Sequence, residues 1–121
     1  MKILFGCELN IMDYDGGIDL DEVFASPLDY GIASLHDVCI TPGSRAENTR
    51  AYLKAMENPK VHIIGHPDDG TYAVDFDELV RHAKEHGVLI ELNEASVRPG
   101  SYPETVVKMR RLYWNAVRIT A

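Results

Sequence analysis

The feature that most constrains this chain is a regular alternation of short apolar runs with longer amphipathic segments. Four apolar runs predict β-strands: residues 3–11, 30–35, 61–65 and 88–92. Strands that alternate with helices build βαβ crossovers, and the strands of such crossovers lie parallel in one sheet. No repeat or linker-like stretch interrupts the alternation, so the sequence predicts a single α/β domain over residues 1–121.

Capping residues indicate where the helices begin. Ser44 and Asp75 are each followed three residues later by a glutamate, which is the spacing of a capping box, and Gly87 is typical of a helix end. The positions expected to face the core are Ala46, Thr49, Leu53 and Met56 on the first helix, and Phe76, Leu79, Val80 and Ala83 on the second. A third helix and the start of another strand are predicted within residues 101–121.

Charge and composition exclude several classes of protein. The chain has 12 Lys and Arg against 19 Asp and Glu, a net charge of −7, which disfavours nucleic-acid binding by phosphate neutralisation. No apolar run approaches the ~20 residues of a membrane span, and the first residues do not resemble a signal peptide. Cys7 and Cys39 are too few for a disulfide framework. We therefore expect a cytoplasmic protein with neither a membrane nor a nucleic acid as its partner.

Three potential metal ligands occupy the same position in three successive predicted strands. Glu8, His36 and His66 each end an apolar run. Because the C-terminal ends of parallel strands form the functional rim of α/β folds, these side chains are expected to meet there. Two imidazoles and a carboxylate suit Zn²⁺ or Mn²⁺ and leave a position for water or substrate. The sequence predicts a metal site here, against the alternative that each residue is structural.

The other histidines and the cysteines favour structural interpretations. His82 and His86 are four residues apart, a spacing that can chelate a metal, but they lie among charged residues typical of a solvated helix face. His62 is expected to be a hydrogen-bonded residue at the buried end of its strand. Both cysteines are expected to be unpaired, buried thiols rather than metal ligands.

Two polar loops carry further candidates. Arg45 stands at a predicted helix start, where it is a candidate contact for a substrate phosphate or an ordinary residue of the cap. Asp68 and Asp69 follow His66 closely, so they orient a ligand histidine or simply form a turn.

Five segments, in chain order, have a familiar pattern: residues 6–16 (GCELNIMDYDG), 32–36 (IASLH), 41–49 (TPGSRAENT), 63–67 (IIGHP) and 89–93 (LIELN). Together they resemble the small bacterial phosphatase branch of the PHP (polymerase and histidinol phosphatase) family. The resemblance implies a distorted (β/α)7 barrel with up to three metal ions on its C-terminal rim. It also implies that a metal-bound hydroxide hydrolyses phosphate monoesters, without a side-chain nucleophile. By position, Glu8 would bridge two ions, and His36 and His66 would be ligands of one of them.

The resemblance covers only the central part of the family's domain. Family members open with a His-x-His strand and close with an Asp-x-His strand, and neither stands in this chain. The expectation is thus a partial barrel without the N- and C-terminal strands. Open strand edges and an uncovered apolar face predict a homo-oligomer or a pairing with a complementing fragment.

Two functions follow as expectations. The first is a metal-dependent phosphoesterase for a small phosphorylated substrate, with Glu8, His36 and His66 holding Zn²⁺ first, or Mn²⁺ or Fe²⁺, and Arg45 contacting the phosphate. The second is a truncated, non-catalytic relative that binds a metal and self-associates.

Overall fold

The computed structural model describes residues 1–20 and 27–97. Its elements, in chain order, are β1 (Gly6–Asn10), β2 (Tyr30–Ser34), α1 (Arg45–Met56), β3 (Val61–Ile64), α2 (Phe76–His86), β4 (Leu89–Ile90) and a 3₁₀ turn (Glu94–Val97). The four strands form one sheet in the order β1-β2-β3-β4, with every neighbouring pair parallel. The predicted α/β class and parallel sheet are therefore confirmed. The predicted third helix and the strand after it lie outside the described residues.

Both helices begin where their capping residues predict. The Ser44 hydroxyl accepts a hydrogen bond from the backbone of Glu47, and the Glu47 carboxylate accepts one from the Ser44 backbone at 2.8 Å. Asp75 caps two backbone N–H groups of α2, which ends at Gly87 with φ of 69°. Within residues 1–20 and 27–97, no helix has the length and apolar character needed to cross a membrane.

The core lies between the sheet and the helices. Helix α1 packs on β2 and β3, while α2 packs on β4 and against α1. The most deeply buried apolar side chains of this core are Ile11, Ala33, Leu35, Ala51, Tyr52, Ala55, Ile64 and Leu79. Since side chains alternate between the faces of a strand, Glu8 and Ser34 stand on the opposite face, where they contact each other.

The buried face of α1 differs from the predicted one. Ala46 is exposed and Leu53 only half-buried, whereas Asn48 is 1% exposed. The Asn48 amide bonds to backbone groups of the loops before α1 and before α2, at 2.9–3.1 Å. The Thr49 hydroxyl accepts from the backbone N–H of Asp75 at 2.8 Å. Buried backbone groups of the two loops need hydrogen-bond partners. The buried face of α1 therefore includes the polar residue Asn48, which the apolar periodicity did not predict.

Strands β1 and β4 are the edges of the described sheet, and both are shorter than predicted. β1 begins at residue 6 and β4 has two residues. Large apolar side chains are exposed beside these edges, with Phe5 at 67% and Leu89 at 66%. Such edges are surfaces on which further strands can pair. The expected pairing with another copy or a complementing fragment stays a prediction.

The turn after β1 packs closely on α1, and this contact depends on Gly16. Gly16 has φ of 79°, and a Cβ there would lie 2.4 Å from the backbone nitrogen of Ala55. At Gly87, φ is similar but a Cβ would meet nothing within 4 Å.

These two glycines make a matched pair for measuring the contact. Gly87→Ala should lower the free energy of unfolding by ~1–2 kcal/mol, the cost of a left-handed alanine. Gly16→Ala should cost about 3 kcal/mol or more, since backbone atoms must also move. Urea unfolding of both variants measures the difference. Equal losses would show that the turn does not pack on α1 as described.

Candidate metal centre

Three neighbouring strands bring Glu8, His36 and His66 together towards the C-terminal ends of the strands. Glu8 lies within β1, while His36 and His66 each stand two residues past the end of their strands. Glu8 Oε1 lies 3.1 Å from His66 Nε2 and 3.4 Å from His36 Nε2. The two imidazole centroids are 5.2 Å apart. The predicted convergence of these three side chains therefore occurs, and we call this group the candidate metal centre.

The Glu8 carboxylate is held in its ionised form. The Ser34 hydroxyl donates to Oε1 at 2.7 Å, and Ser34 is fully buried. This hydrogen bond, together with one from His66 and the electrostatic effect of both histidines, lowers the pKa of Glu8 against the opposing effect of partial burial. A carboxylate that stays charged near neutral pH is available as a metal ligand.

Asn10 sets the orientation of His36. Its amide nitrogen donates to Asp19 Oδ2 at 2.5 Å, so its Oδ1 faces His36 Nδ1 at 2.6 Å. His36 Nδ1 therefore carries the proton, and Nε2 presents its lone pair towards the centre. An imidazole whose second nitrogen is held in this way is the usual arrangement of a metal-binding histidine.

His66 is fixed through both its backbone and its ring. Its φ of 27° is in the left-handed region, and its N–H donates to Glu91 Oε2 at 2.8 Å. Nδ1 lies 3.6 Å from Asp69 Oδ2, an ion pair when the ring is charged. Asp69, followed by Glu8, raises the pKa of His66 to about 9 despite burial. Strained backbone held by surrounding groups is common at functional sites.

Asp68 has a different task from Asp69. It is 2% exposed, and burial raises its pKa. Its carboxylate accepts from the backbone N–H of Asn93 at 3.3 Å and from the Ser96 hydroxyl at 3.2 Å. Of the two interpretations given to this pair, Asp69 orients a histidine, whereas Asp68 joins the loop after β3 to the loop after β4.

The donor set fits a divalent metal. Tetrahedral zinc with bonds of about 2.0–2.1 Å holds its nitrogen and oxygen donors about 3.3 Å apart. The Glu8 oxygen stands 3.1 and 3.4 Å from the two imidazole nitrogens. One ligand atom from each of the three residues lies within 4.8 Å of the others. Two imidazoles and one carboxylate suit Zn²⁺, Mn²⁺ or Fe²⁺ and do not distinguish among them.

Arg45 contacts the protein rather than standing free. Its Nε donates to the carbonyl of Val74 at 3.1 Å, and its guanidinium pairs with Asp75 at 3.3 Å. This pairing joins the first turn of α1 to the cap of α2. A role for Arg45 on a substrate phosphate stays a prediction.

The remaining sequence candidates lie apart from the centre. His62 is exposed, contrary to the expected buried position, and it hydrogen-bonds with the backbone of Gly31 at 3.3 Å. Cys7 and Cys39 are free thiols as expected, but their expected burial is wrong, since Cys7 is exposed and Cys39 is half-buried. Neither cysteine belongs to a potential metal-binding group among the described residues.

The sequence interpretation missed the supporting residues Asn10, Ser34 and Glu91. The period of two along a strand offers a signal, because Asn10 follows Glu8 by two positions and Ser34 precedes His36 by two. No such signal exists for Glu91, since it reaches His66 from a loop 25 residues away.

An α/β protein with a candidate metal centre at its strand ends is thus the class that the fold defines. No family model matches the chain. It is similar to proteins named probable phosphatase: one from Clostridium novyi is 49% identical over 106 residues, covering 85% of this chain and 43% of that protein. One from Caldicellulosiruptor saccharolyticus is 50% identical over 96 residues, covering 79% and 40%. One from Clostridium botulinum is 46% identical over 114 residues, covering 93% and 46%. The chain therefore spans less than half the length of these curated relatives.

Loss of a ligand should lower the metal content. Glu8→Gln or His36→Ala should each reduce bound transition metal by about one ion per chain, because a two-ligand remainder binds weakly. Elemental mass spectrometry on protein purified without chelator or histidine tag measures this. His62→Ala is the control, as His62 is an exposed histidine outside the centre. Unchanged metal content in both ligand variants would contradict the site.

Metal affinity at this centre should depend on pH. His66, with a pKa of about 9, carries a proton at neutral pH that a metal must displace. The apparent affinity should rise about tenfold per pH unit up to about pH 9 and then level off. Calorimetry in buffers of different ionisation enthalpy reports the released proton. Asp69→Asn should move the plateau to lower pH, and a flat profile in the unmodified chain would refute the assignment.

Proposed function

We propose that this chain forms part of a metal-dependent phosphoesterase of the PHP type, which hydrolyses phosphate monoesters of small molecules. The observation that carries the proposal is that Nε2 of His36 and Nε2 of His66 both lie close to one carboxylate oxygen of Glu8. The phosphatase names of the relatives support the reaction class. The parallel βαβ arrangement is compatible with a segment of a (β/α)7 barrel.

Each residue has a defined task in this proposal. Glu8, kept ionised by Ser34, would be the carboxylate ligand, and His36 and His66 would present Nε2. Asn10 keeps His36 in its productive tautomer, and Asp69 orients the His66 ring through Nδ1. When bound, a divalent metal supplies Lewis acidity to a phosphoryl oxygen and acidifies the attacking water.

The candidate metal centre is accessible to a ligand from solvent. Glu8 is half-exposed at the strand ends, so a ligand can reach it from solvent. The chain as a whole is acidic, with a net charge of −7, so a phosphate would be attracted by local positive charge rather than by the overall field. The bound metal is the local positive charge that this proposal requires, since His66 gives up its proton when it becomes a ligand.

The second candidate function is metal binding without hydrolysis, with self-association. The exposed apolar side chains beside both edge strands favour it, Phe5 and Leu89 among them. Such side chains are commonly covered by a partner. In this alternative the candidate metal centre binds an ion but turns over no substrate.

Hydrolysis of p-nitrophenyl phosphate separates the two candidates. With added Zn²⁺ or Mn²⁺ the chain should release nitrophenol, and His66→Ala should lower kcat/KM by about 100-fold or more, since a metal contributes several kcal/mol to the transition state. His62→Ala should retain the rate. The oligomeric mass is measured in the same buffer by light scattering.

The outcomes are distinct. A rate that survives in His66→Ala would come from a contaminant and refute the proposal. Metal uptake that depends on Glu8 without any turnover, in a self-associated chain, would select the second candidate.

A further inference from the structure

A second group of metal-binding side chains lies on α2. His82, Glu85 and His86 each offer one ligand atom, and these atoms lie within 4.8 Å of one another. In parallel βαβ units the helices run opposite to the strands, so the last turn of α2 is at the edge where strands begin. The candidate metal centre is at the edge where strands end, so the two groups are separate.

The two histidines are arranged as helix-borne ligands. His86 Nδ1 donates to the carbonyl of His82 at 3.1 Å, and its Nε2 therefore carries a lone pair. The two rings stack with centroids 4.1 Å apart and planes inclined by 27°. Histidines four apart on a helix share one face, the arrangement by which helices in metalloproteases bind zinc.

His82 supplies an independent sign of a ligand. Its Nε2 is buried and has no hydrogen-bond partner among residues 1–20 and 27–97. Buried polar atoms almost always have a partner, so an unpaired imidazole nitrogen requires an explanation. A cation held with Glu85 and His86 would satisfy this nitrogen.

The charges around the group also favour a cation. Glu57, just past the end of α1, has a lowered pKa, first through its hydrogen bond with Lys54 and further through His82 and His86. Glu57 is thus within electrostatic range of both rings, and its carboxylate is paired with Lys54 Nζ at 2.9 Å. The C-terminal turn of a helix has partial negative charge, which stabilises a bound cation.

We propose that His82, Glu85 and His86 form a second divalent-metal site, of the kind that takes Zn²⁺, and that it stabilises the last turn of α2. Its position at the edge where strands begin suits a stabilising role, because chemistry in α/β barrels takes place at the opposite edge. The inference does not depend on the proposed phosphatase function, since it uses none of the residues of the candidate metal centre.

Zinc titration of a chain without the first centre tests the proposal. In metal-stripped Glu8→Gln/His66→Ala protein, calorimetry should detect about one Zn²⁺ per chain. Adding His86→Ala should weaken this binding about tenfold or more. Replacing a residue that only hydrogen-bonds to a metal ligand already lowers metal affinity by about 10–100-fold, and loss of a ligand should cost at least as much. Adding His62→Ala instead should leave the affinity unchanged. Zinc in about 100-fold excess over its Kd should raise the Tm by about 5 °C or more, and His86→Ala should abolish the rise.

Several results would overturn the proposal. They are no zinc uptake by the double variant, uptake that survives His86→Ala, equal weakening by His62→Ala, or binding without any rise in Tm. His86 is exposed, so its replacement leaves the core intact. If the double variant does not fold, the unsubstituted chain is titrated with Co²⁺, and His86→Ala should then remove one bound ion from the absorbance titration. An unchanged stoichiometry there would equally reject the site.

Discussion

One carboxylate oxygen connects three strands, and the candidate metal centre depends on it. Glu8 Oε1 accepts from Ser34 on β2 and lies within 3.4 Å of both His36 and His66. These contacts require β1, β2 and β3 to be parallel neighbours. Only then can a side chain within β1 reach the imidazoles that follow β2 and β3. A bound metal would replace the hydrogen bond from His66 that now stabilises the Glu8 carboxylate. The arrangement of the strands in the sheet therefore determines whether the three side chains of the centre meet.

Rigidity at the centre comes from polar residues outside it. Asn10 and Asp19 hold one imidazole, while Asp69 and Glu91 hold the other by its ring and its backbone. The left-handed backbone at His66 is a strained conformation that its surroundings maintain. Side chains fixed in advance lose little conformational freedom if an ion binds, so the loops would contribute to metal affinity without touching the metal.

The two ends of the parallel strands have different roles. At the C-terminal ends, acceptors and imidazoles lie together and remain accessible. At the N-terminal ends of the strands, the last turn of α2 carries His82 and His86 with their rings stacked. A cation there would act on the stability of the helix, whereas one at the opposite ends would act on a substrate. The division follows from the polarity of parallel strands and the antiparallel course of their helices.

The sequence by itself determined the class of fold, the two helix starts and the three side chains that meet at the candidate metal centre. Capping residues and apolar runs are local patterns, and a parallel sheet brings residues from or just after neighbouring strands together, although Glu8 lies within β1 rather than at its end. The tertiary structure alone decided the contacts between segments that are distant in the sequence. Glu91 contacts His66 from 25 residues away, and the Asn48 amide bonds to backbone groups of two loops. Within the part of the chain that the structure describes, the buried Nε2 of His82 has no hydrogen-bond partner. These contacts satisfy backbone and side-chain groups that become buried only once separate segments pack, so no local pattern in the chain encodes them.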